Sequence, residues 1–532
     1  MSSPPTFSLT KTLTTRVFPE STNQKPTTIS LSIIDATVSR YARCAAIWYH
    51  NPPSTPTHFL TPSHFHFALS QTLTSYPQWC GRAFYTPYQP NTKHTQRYRR
   101  VQITCNTISD PGVEFVAATS PKKLADYIPD ALARGKVWDA ACVPSKELYP
   151  STSLSLGDDR SAVNPPNVSV QLTSFACGST AVAISFTHAL ADAQTLSRFA
   201  RDLAAVSRAM LRGEEPPVLS PIFDPGLLDE RAVGDVDADE PDRELQEEAR
   251  KLPMHRYDNY LEVEGQPFPY NMPGDFKKVA HLPTTPSTPI PWHEWDVKAK
   301  CSHRILHFTA DEISNIYNLA AESQDVKLSK LDTLLAHIWL RINTARQLPP
   351  ETTTYLDYSV GLRSRVEPPL PASFLGSPIT QAAVEITIPS SPTSKPFAQL
   401  PEYAKQIRST VRKFTPSAIG ALLHDSAFEV SPQRLWRGFL GTRHIILTTW
   451  LHLGLEEVDF IGAENGGGGL RHVDPIMPVC DGLMEMHESI GDEIKNGHWS
   501  RNGVDVNVYL ETETMSRLLE DPWLWGDQKS SN

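Results

Sequence analysis

The feature that most constrains this chain is one uninterrupted pattern between residues 169 and 210. Ser169 to Phe175 alternates apolar and polar residues, Ala176-Cys177-Gly178-Ser179 is turn-like, and Thr180 to Phe186 alternates again. That is a β-hairpin with period-two strands. After Asp192 the period changes: Leu196, Phe199, Leu203 and Met210 recur at helical spacing and define one apolar face. Between strand and helix stands Ser185-Phe186-Thr187-His188-Ala189-Leu190-Ala191-Asp192-Ala193. A histidine at a strand end can be held rigidly and still meet solvent. Neutral imidazole there can accept a proton from an alcohol or amine near pH 7. The His-x-x-x-Asp spacing alone says little, because a chain with 18 histidines holds roughly one such pair by chance.

The same mixture of periods runs along the chain. Leu31 to Ile34 reads as a strand ending at Asp35, and Phe65 to Tyr76 as a helix. From 213 to 300 the composition shifts to Pro216-Pro217, the acidic run Asp235 to Glu248 and the prolines of 283–291. This predicts a long surface crossover with little core. The pattern restarts at Arg304. Thr309-Ala310-Asp311-Glu312 is a capping box, Leu331 to Ile342 a strongly apolar helix, and Tyr355 to Leu362 and Ile445 to Trp450 buried strands. Length 532 exceeds one core, so the reading is two α/β domains, 1–212 and 301–532, joined by a 213–300 crossover.

Charge and cysteine usage exclude several classes. A net charge of -10 argues against nucleic acid as main partner. Seven scattered cysteines with no CxxC pair make neither a zinc motif nor a disulfide framework. His64 and His66, or His293 and Asp296, do not give a metal set with usable spacing, so no metal is expected. The run Gly466 to Gly469 lacks the Lys-Ser/Thr of a phosphate loop and reads as a surface loop. No Gly-x-Ser-x-Gly elbow supports a hydrolase triad. No apolar run spans a bilayer and the N-terminus lacks an apolar signal core, which predicts a soluble, cytoplasmic chain without membrane partners.

Several ordered segments resemble the BAHD family of CoA-dependent acyltransferases, its fungal branch in particular. His188-Ala189-Leu190-Ala191-Asp192 matches HxxxD, and Ser75-Tyr76-Pro77-Gln78-Trp79-Cys80-Gly81-Arg82 resembles YPxxAGR. Leu335 to Arg346 is similar to the helix of the family's second domain. Leu362-Arg363-Ser364-Arg365 with Pro368 to Pro371 and Phe374-Leu375-Gly376 resembles RxR…PPLP…YFGN, and Thr448-Thr449-Trp450 with Val458-Asp459-Phe460 resembles TSW…DFGWG. The departures are Ser377 for Asn, Val360-Gly361 where an aspartate often precedes RxR, and Ile461-Gly462-Ala463 after Asp459-Phe460.

The resemblance implies two chloramphenicol-acetyltransferase-like domains, mixed sheets with flanking helices, and a channel between them. It implies His188 as general base, and Asp192 paired with Arg363 as a structural lock. Asp459 is implied as a loop anchor and Thr448 as a hydroxyl facing the oxyanion. Arg365 is the candidate contact for CoA. Asp35 and Trp450 are candidates for the acceptor pocket, although Trp450 in an apolar strand equally reads as core. The expected reaction moves an acyl group, acetyl favoured, from free acyl-CoA to a small hydrophobic alcohol or amine. No bound cofactor or metal takes part, and the chain is expected to act as a monomer. Two alternatives stay open: a condensation-type enzyme using a carrier-bound donor, disfavoured by Thr187 where HHxxxD needs histidine, and a metabolite-binding relative without turnover.

Overall fold

The computed structural model describes residues 7–20, 25–38, 43–53, 60–157, 163–269, 271–282, 284–321, 326–390, 395–462, 469–490 and 498–526. Gly466, Gly467 and Gly468, most of the glycine run, lie outside them. Two mixed sheets dominate the fold. The first has six strands in the order Thr10–Val17, Val113–Ser120, Val168–Phe175, Thr180–Thr187, Arg43–His50 and Leu470–Pro475. The second has seven: Ile379–Thr387, Thr353–Gly361, His444–Thr449, Leu483–Glu488, Val504–Glu511, Cys301–Phe308 and Val137–Asp139. This is the α/β architecture expected, with helices on the outer faces and the sheets meeting at a seam.

The hairpin forms as its alternation requires, with Val168 opposite Phe186 and Ser174 opposite Thr180. Helix Ala193–Leu211 follows, and its stripe of Leu196, Phe199, Ala200, Leu203 and Ala204 is buried against the first sheet and helix Pro62–Leu73. Each fully buried Leu or Phe on that stripe contributes about 1.5–3 kcal/mol of apolar transfer. In the second half, helices Ala310–Ala321, Lys330–Arg346, Leu400–Arg412 and Thr512–Leu519 cover the other sheet. The capping box closes at the start of the first of these. Glu312 accepts from Thr309 N–H (3.0 Å), and Thr309 Oγ1 accepts from Glu312 N–H (3.3 Å).

The sheets do not respect the two halves of the chain. Strand Leu470–Pro475 pairs with Arg43–His50 in the first sheet, and Val137–Asp139 pairs with Cys301–Phe308 in the second. Leu375, Trp450, Leu455, Val458, Phe460 and Ile461 pack in the core of the first half. The crossover also differs from expectation. Leu228, Leu252 and Met254 are buried with Val360, Leu362 and Leu422, so the segment is clamped to the second half. Residues 31–34 are not strand. The strand ends at Ser30, and the chain turns into a short 3-10 helix, Asp35–Thr37, because Asp35 is pulled beneath the site described next.

One row across the second sheet defines its inner face. Trp138 lies opposite Ile305, Ile305 opposite Asn507, Asn507 opposite Glu485, and Glu485 beside Thr448. Trp138 and Ile305 pack with Ile47, Tyr49, Ala181 and Ala183 of the first sheet. Residues in one cross-strand row share a face, so Thr448, Glu485 and Asn507 are turned toward the seam.

Candidate active site

His188 ends strand Thr180–Thr187 and opens a single 3-10 turn, His188–Leu190. The strand end is tied down on several sides. Thr187 N–H donates to Asn167 carbonyl at 2.9 Å, and Thr187 Oγ1 donates to Ser155 carbonyl at 3.1 Å. Asn167 Nδ2 in turn donates to Gly81 carbonyl at 2.6 Å. Gly81 must be glycine, since a Cβ there would lie 2.5 Å from Thr104 carbonyl oxygen and 2.8 Å from Cys105 Cβ. The YPxxAGR-like element therefore acts through backbone packing behind the histidine.

The imidazole is half-buried, while its neighbours Thr187, Ala189 and Leu190 are buried. His188 Nδ1 lies 3.1 Å from Ser377 Oγ. Ser377, fully buried, donates its backbone N–H to Asp35 Oδ1 at 2.5 Å. Asp35 is fully buried too, and burial pushes its carboxyl up to about 7 despite the N–H groups of Ser377 and Ser32. Burial lowers the His188 pKa below its usual 6.5, against a hydrogen bond with its own backbone and the distant charge of Asp192. That direction favours the neutral ring.

Asp192 does not hold a proton on that ring, because its carboxylate is engaged elsewhere. Its carboxylate takes both Arg363 terminal nitrogens, at 2.5 and 3.0 Å, and accepts Thr195 N–H at 3.0 Å as the N-cap of helix Ala193–Leu211. Arg363 also donates to Thr195 Oγ1 (2.9 Å) and to the carbonyls of Phe374 (3.2 Å) and Gly376 (3.3 Å). Asp192 N–H donates to Gly376 carbonyl at 3.1 Å. Gly376 has φ +138°, and a Cβ there would press within 3.2 Å of Asp35 Oδ1. The segment Phe374–Ser377 of the second half is thereby bolted to the HxxxD turn of the first.

His188, Asp192 and Arg363 thus share one cluster, joined by Ser377 and Thr195. The other candidate residues stand on separate elements. Thr448 is half-buried on the seam face. Asp459 Oδ1 accepts the N–H groups of Ile461 (3.0 Å) and Gly462 (2.9 Å), which closes a turn. Arg365 donates to Val411 carbonyl (3.3 Å) near the C-terminal end of helix Leu400–Arg412, where a cation is favoured by the helix dipole. Asp35 and Trp450 are both buried. Asp35 sits sealed under Ser377, and Trp450 is 2% exposed in the first half's core. Ser377 and Thr195 escaped sequence reasoning. The one signal for Ser377 was its departure from the Asn of YFGN, which named a position and not a contact.

A half-buried histidine stands at the junction of two mixed-sheet halves, tied to the second half through Ser377 and, by way of Asp192, through Arg363 and Gly376. The Transferase family model matches residues 7–523, and the chain belongs to that family, the BAHD acyltransferases. It is 24% identical over 527 residues to Acyltransferase AFT15-1 of Alternaria alternata, covering 96% of each chain. Its fold is similar to vinorine synthase (TM-score 0.60, 18% identity, covering 96% of this chain and 98% of that one). It is also similar to F. sporotrichioides TRI101 complexed with coenzyme A and T-2 (TM-score 0.61, 17% identity, covering 94% and 98%). Among the described residues no helix is long and apolar enough to cross a membrane.

Proposed function

We propose that this acyltransferase moves an acetyl group from acetyl-CoA to a hydroxyl of a small hydrophobic secondary metabolite, with His188 as general base. The observation that carries the reading is the half-buried His188 at the strand end, with Nδ1 3.1 Å from Ser377 Oγ. With the ring proton on Nδ1, toward Ser377 Oγ and the ring's own backbone, Nε2 keeps its lone pair for the incoming nucleophile. Nε2 takes the acceptor O–H proton as oxygen attacks the thioester carbonyl carbon. The tetrahedral oxyanion collapses, the C–S bond breaks, and the imidazolium returns the proton to the CoA thiolate. Holding both reactants against one base supplies orientation as well as proton transfer. Thr448 is the hydroxyl proposed to face the oxyanion, supported by its place on the seam face. Asp192, Arg363 and Asp459 are structural in this scheme.

Free-thiol release from acetyl-CoA, measured over a panel of hydroxylated and amine acceptors, tests the proposal. Turnover with at least one acceptor, lost in His188→Ala, is the expected result. Equal turnover in wild type and His188→Ala would end the general-base role. Turnover with acyl-carrier protein and none with CoA would replace the donor.

A further inference from the structure

A second group of histidine and carboxylate lies in the other half of the molecule, and acyl transfer leaves it unused. His255 comes from the crossover, Asp357 from strand Thr353–Gly361, and His444 opens strand His444–Thr449. One ligand atom from each lies within 4.8 Å of the other two. Asp357 and His444 are fully buried, and the His255 side chain is 12% exposed.

Three polar atoms in this small volume are left without a hydrogen bond among the described residues: His255 Nε2, Asp357 Oδ1 and His444 Nε2. Buried polar atoms are nearly always satisfied, and each exception calls for a physical reason. The remaining contacts make these exceptions pointed. Asp357 Oδ2 is satisfied, accepting Phe439 N–H at 2.9 Å and lying 3.1 Å from His444 Nδ1. His255 Nε2 and Asp357 Oδ1 approach to 3.0 Å, close enough to pair as ions when the ring is protonated, yet the ring N–H is not aligned for a hydrogen bond. A nitrogen and a carboxylate oxygen that close, without a proton directed between them, fit a shared cation. Glu294 Oε2, 3.8 Å from His444 Nε2, adds a second carboxylate, itself paired with Arg443.

The rings are held in place. Tyr257 stacks on His255 (4.8 Å between centroids) and Tyr355 on His444 (4.7 Å), with Phe439 edge-on to His444 at 5.3 Å. These aromatic walls fix ring orientation and exclude water.

We propose that His255, Asp357 and His444 bind a divalent cation of the zinc class, which pins the crossover to the second sheet. Two imidazoles and a carboxylate are a donor set of borderline softness that suits zinc. The three positions share no sequence motif, so spacing could not reveal the site and the sequence led to the opposite expectation.

The test uses the full-length protein, stripped with chelator, desalted and titrated with Zn²⁺ alone. Metal content after gel filtration, thermal melting, and visible absorption with Co²⁺ as probe are read in wild type and in His255→Gln. His255 is partly exposed, so that variant keeps the fold readable even if Asp357→Asn does not fold. About one Zn²⁺ per chain should be retained, with a higher melting temperature and Co²⁺ bands of low-coordinate geometry. His255→Gln should bind at least about tenfold more weakly and lose the stabilisation. Two outcomes overturn the site. One is wild type retaining no zinc and melting identically with and without it, which leaves a buried ion-pair network. The other is zinc binding equally to wild type and His255→Gln, which leaves adventitious surface histidines. Neither outcome bears on thiol release, so the acyl-transfer reading stands or falls separately.

Discussion

His188 and His487 both lie toward the seam, and their environments drive them in opposite directions. His188 faces the hydroxyl of Ser377, and the carboxylate four residues on is bound to Arg363, so burial wins and the pKa is lowered. His487 is also buried, but Nδ1 lies 3.0 Å from Glu485 Oε2. Burial alone would push its pKa down; the Glu485 carboxylate, with Asp505 and Glu488 beside it, outweighs burial and raises the value to about 9. Glu485 is shared further, with Asn507 Nδ2 donating at 2.7 Å. One histidine is kept as a free base and the other as a fixed cation. The difference lies in whether the nearest carboxylate has a guanidinium to occupy it.

The comparison can be broken from either side. Replacing the free base, His188→Ala, should lower the rate of thiol release by about 10²–10⁴-fold while leaving thermal stability near wild type. Removing the diverted carboxylate, Asp192→Ala, leaves Arg363 buried and unpaired. A stability loss of about 3–5 kcal/mol in denaturant melts is expected; normal stability with abolished turnover would place Asp192 in the chemistry instead. Thr448→Val should cost about 2.7–4 kcal/mol in the barrier, read as kcat, if its hydroxyl meets the oxyanion. Ser377→Ala removes one neutral hydrogen bond, about 0.5–1.5 kcal/mol, so kcat should fall by up to about tenfold with KM little changed. The rate should also drop on acidification with an apparent pKa below 6.5, because the protonated ring cannot accept.

The smallest effect concerns His487. Its folded pKa of about 9 stands above the usual 6.5, so its contribution to stability is complete below pH 6.5 and is lost as pH rises through 9. Glu485→Gln should flatten that part of the stability profile. An unchanged slope would mean that the pair does not set the charge of His487.

Much of this was legible beforehand. The hairpin, the strand-end histidine and the helix after Asp192 follow from periodicity, because one buried face per element forces the pattern. The pairing of Asp192 with Arg363 came from resemblance to a family, since nothing local links residues 171 positions apart. What stayed hidden depends on partners in space. Period-two alternation identifies Leu470–Pro475 and Val137–Asp139 as extended at best and cannot name the sheet that each joins. Asp35 ended a strand in the sequence reading and proves to be tucked under Gly376, where only the absence of a side chain on its neighbour makes room. His255, in a proline-rich and acidic stretch, gave no sign that it meets Asp357 and His444.

The strand exchange sets the order in which the protein can mature. Until Leu470–Pro475 has left the ribosome, Arg43–His50, with Ala46, Ile47 and Trp48, is an open margin of the first sheet. An apolar margin left bare is a template for pairing with other chains. Nascent chains cut before residue 470 should therefore stick to one another or to chaperones. Neither half should survive as an independently expressed fragment, and the two should melt in a single transition.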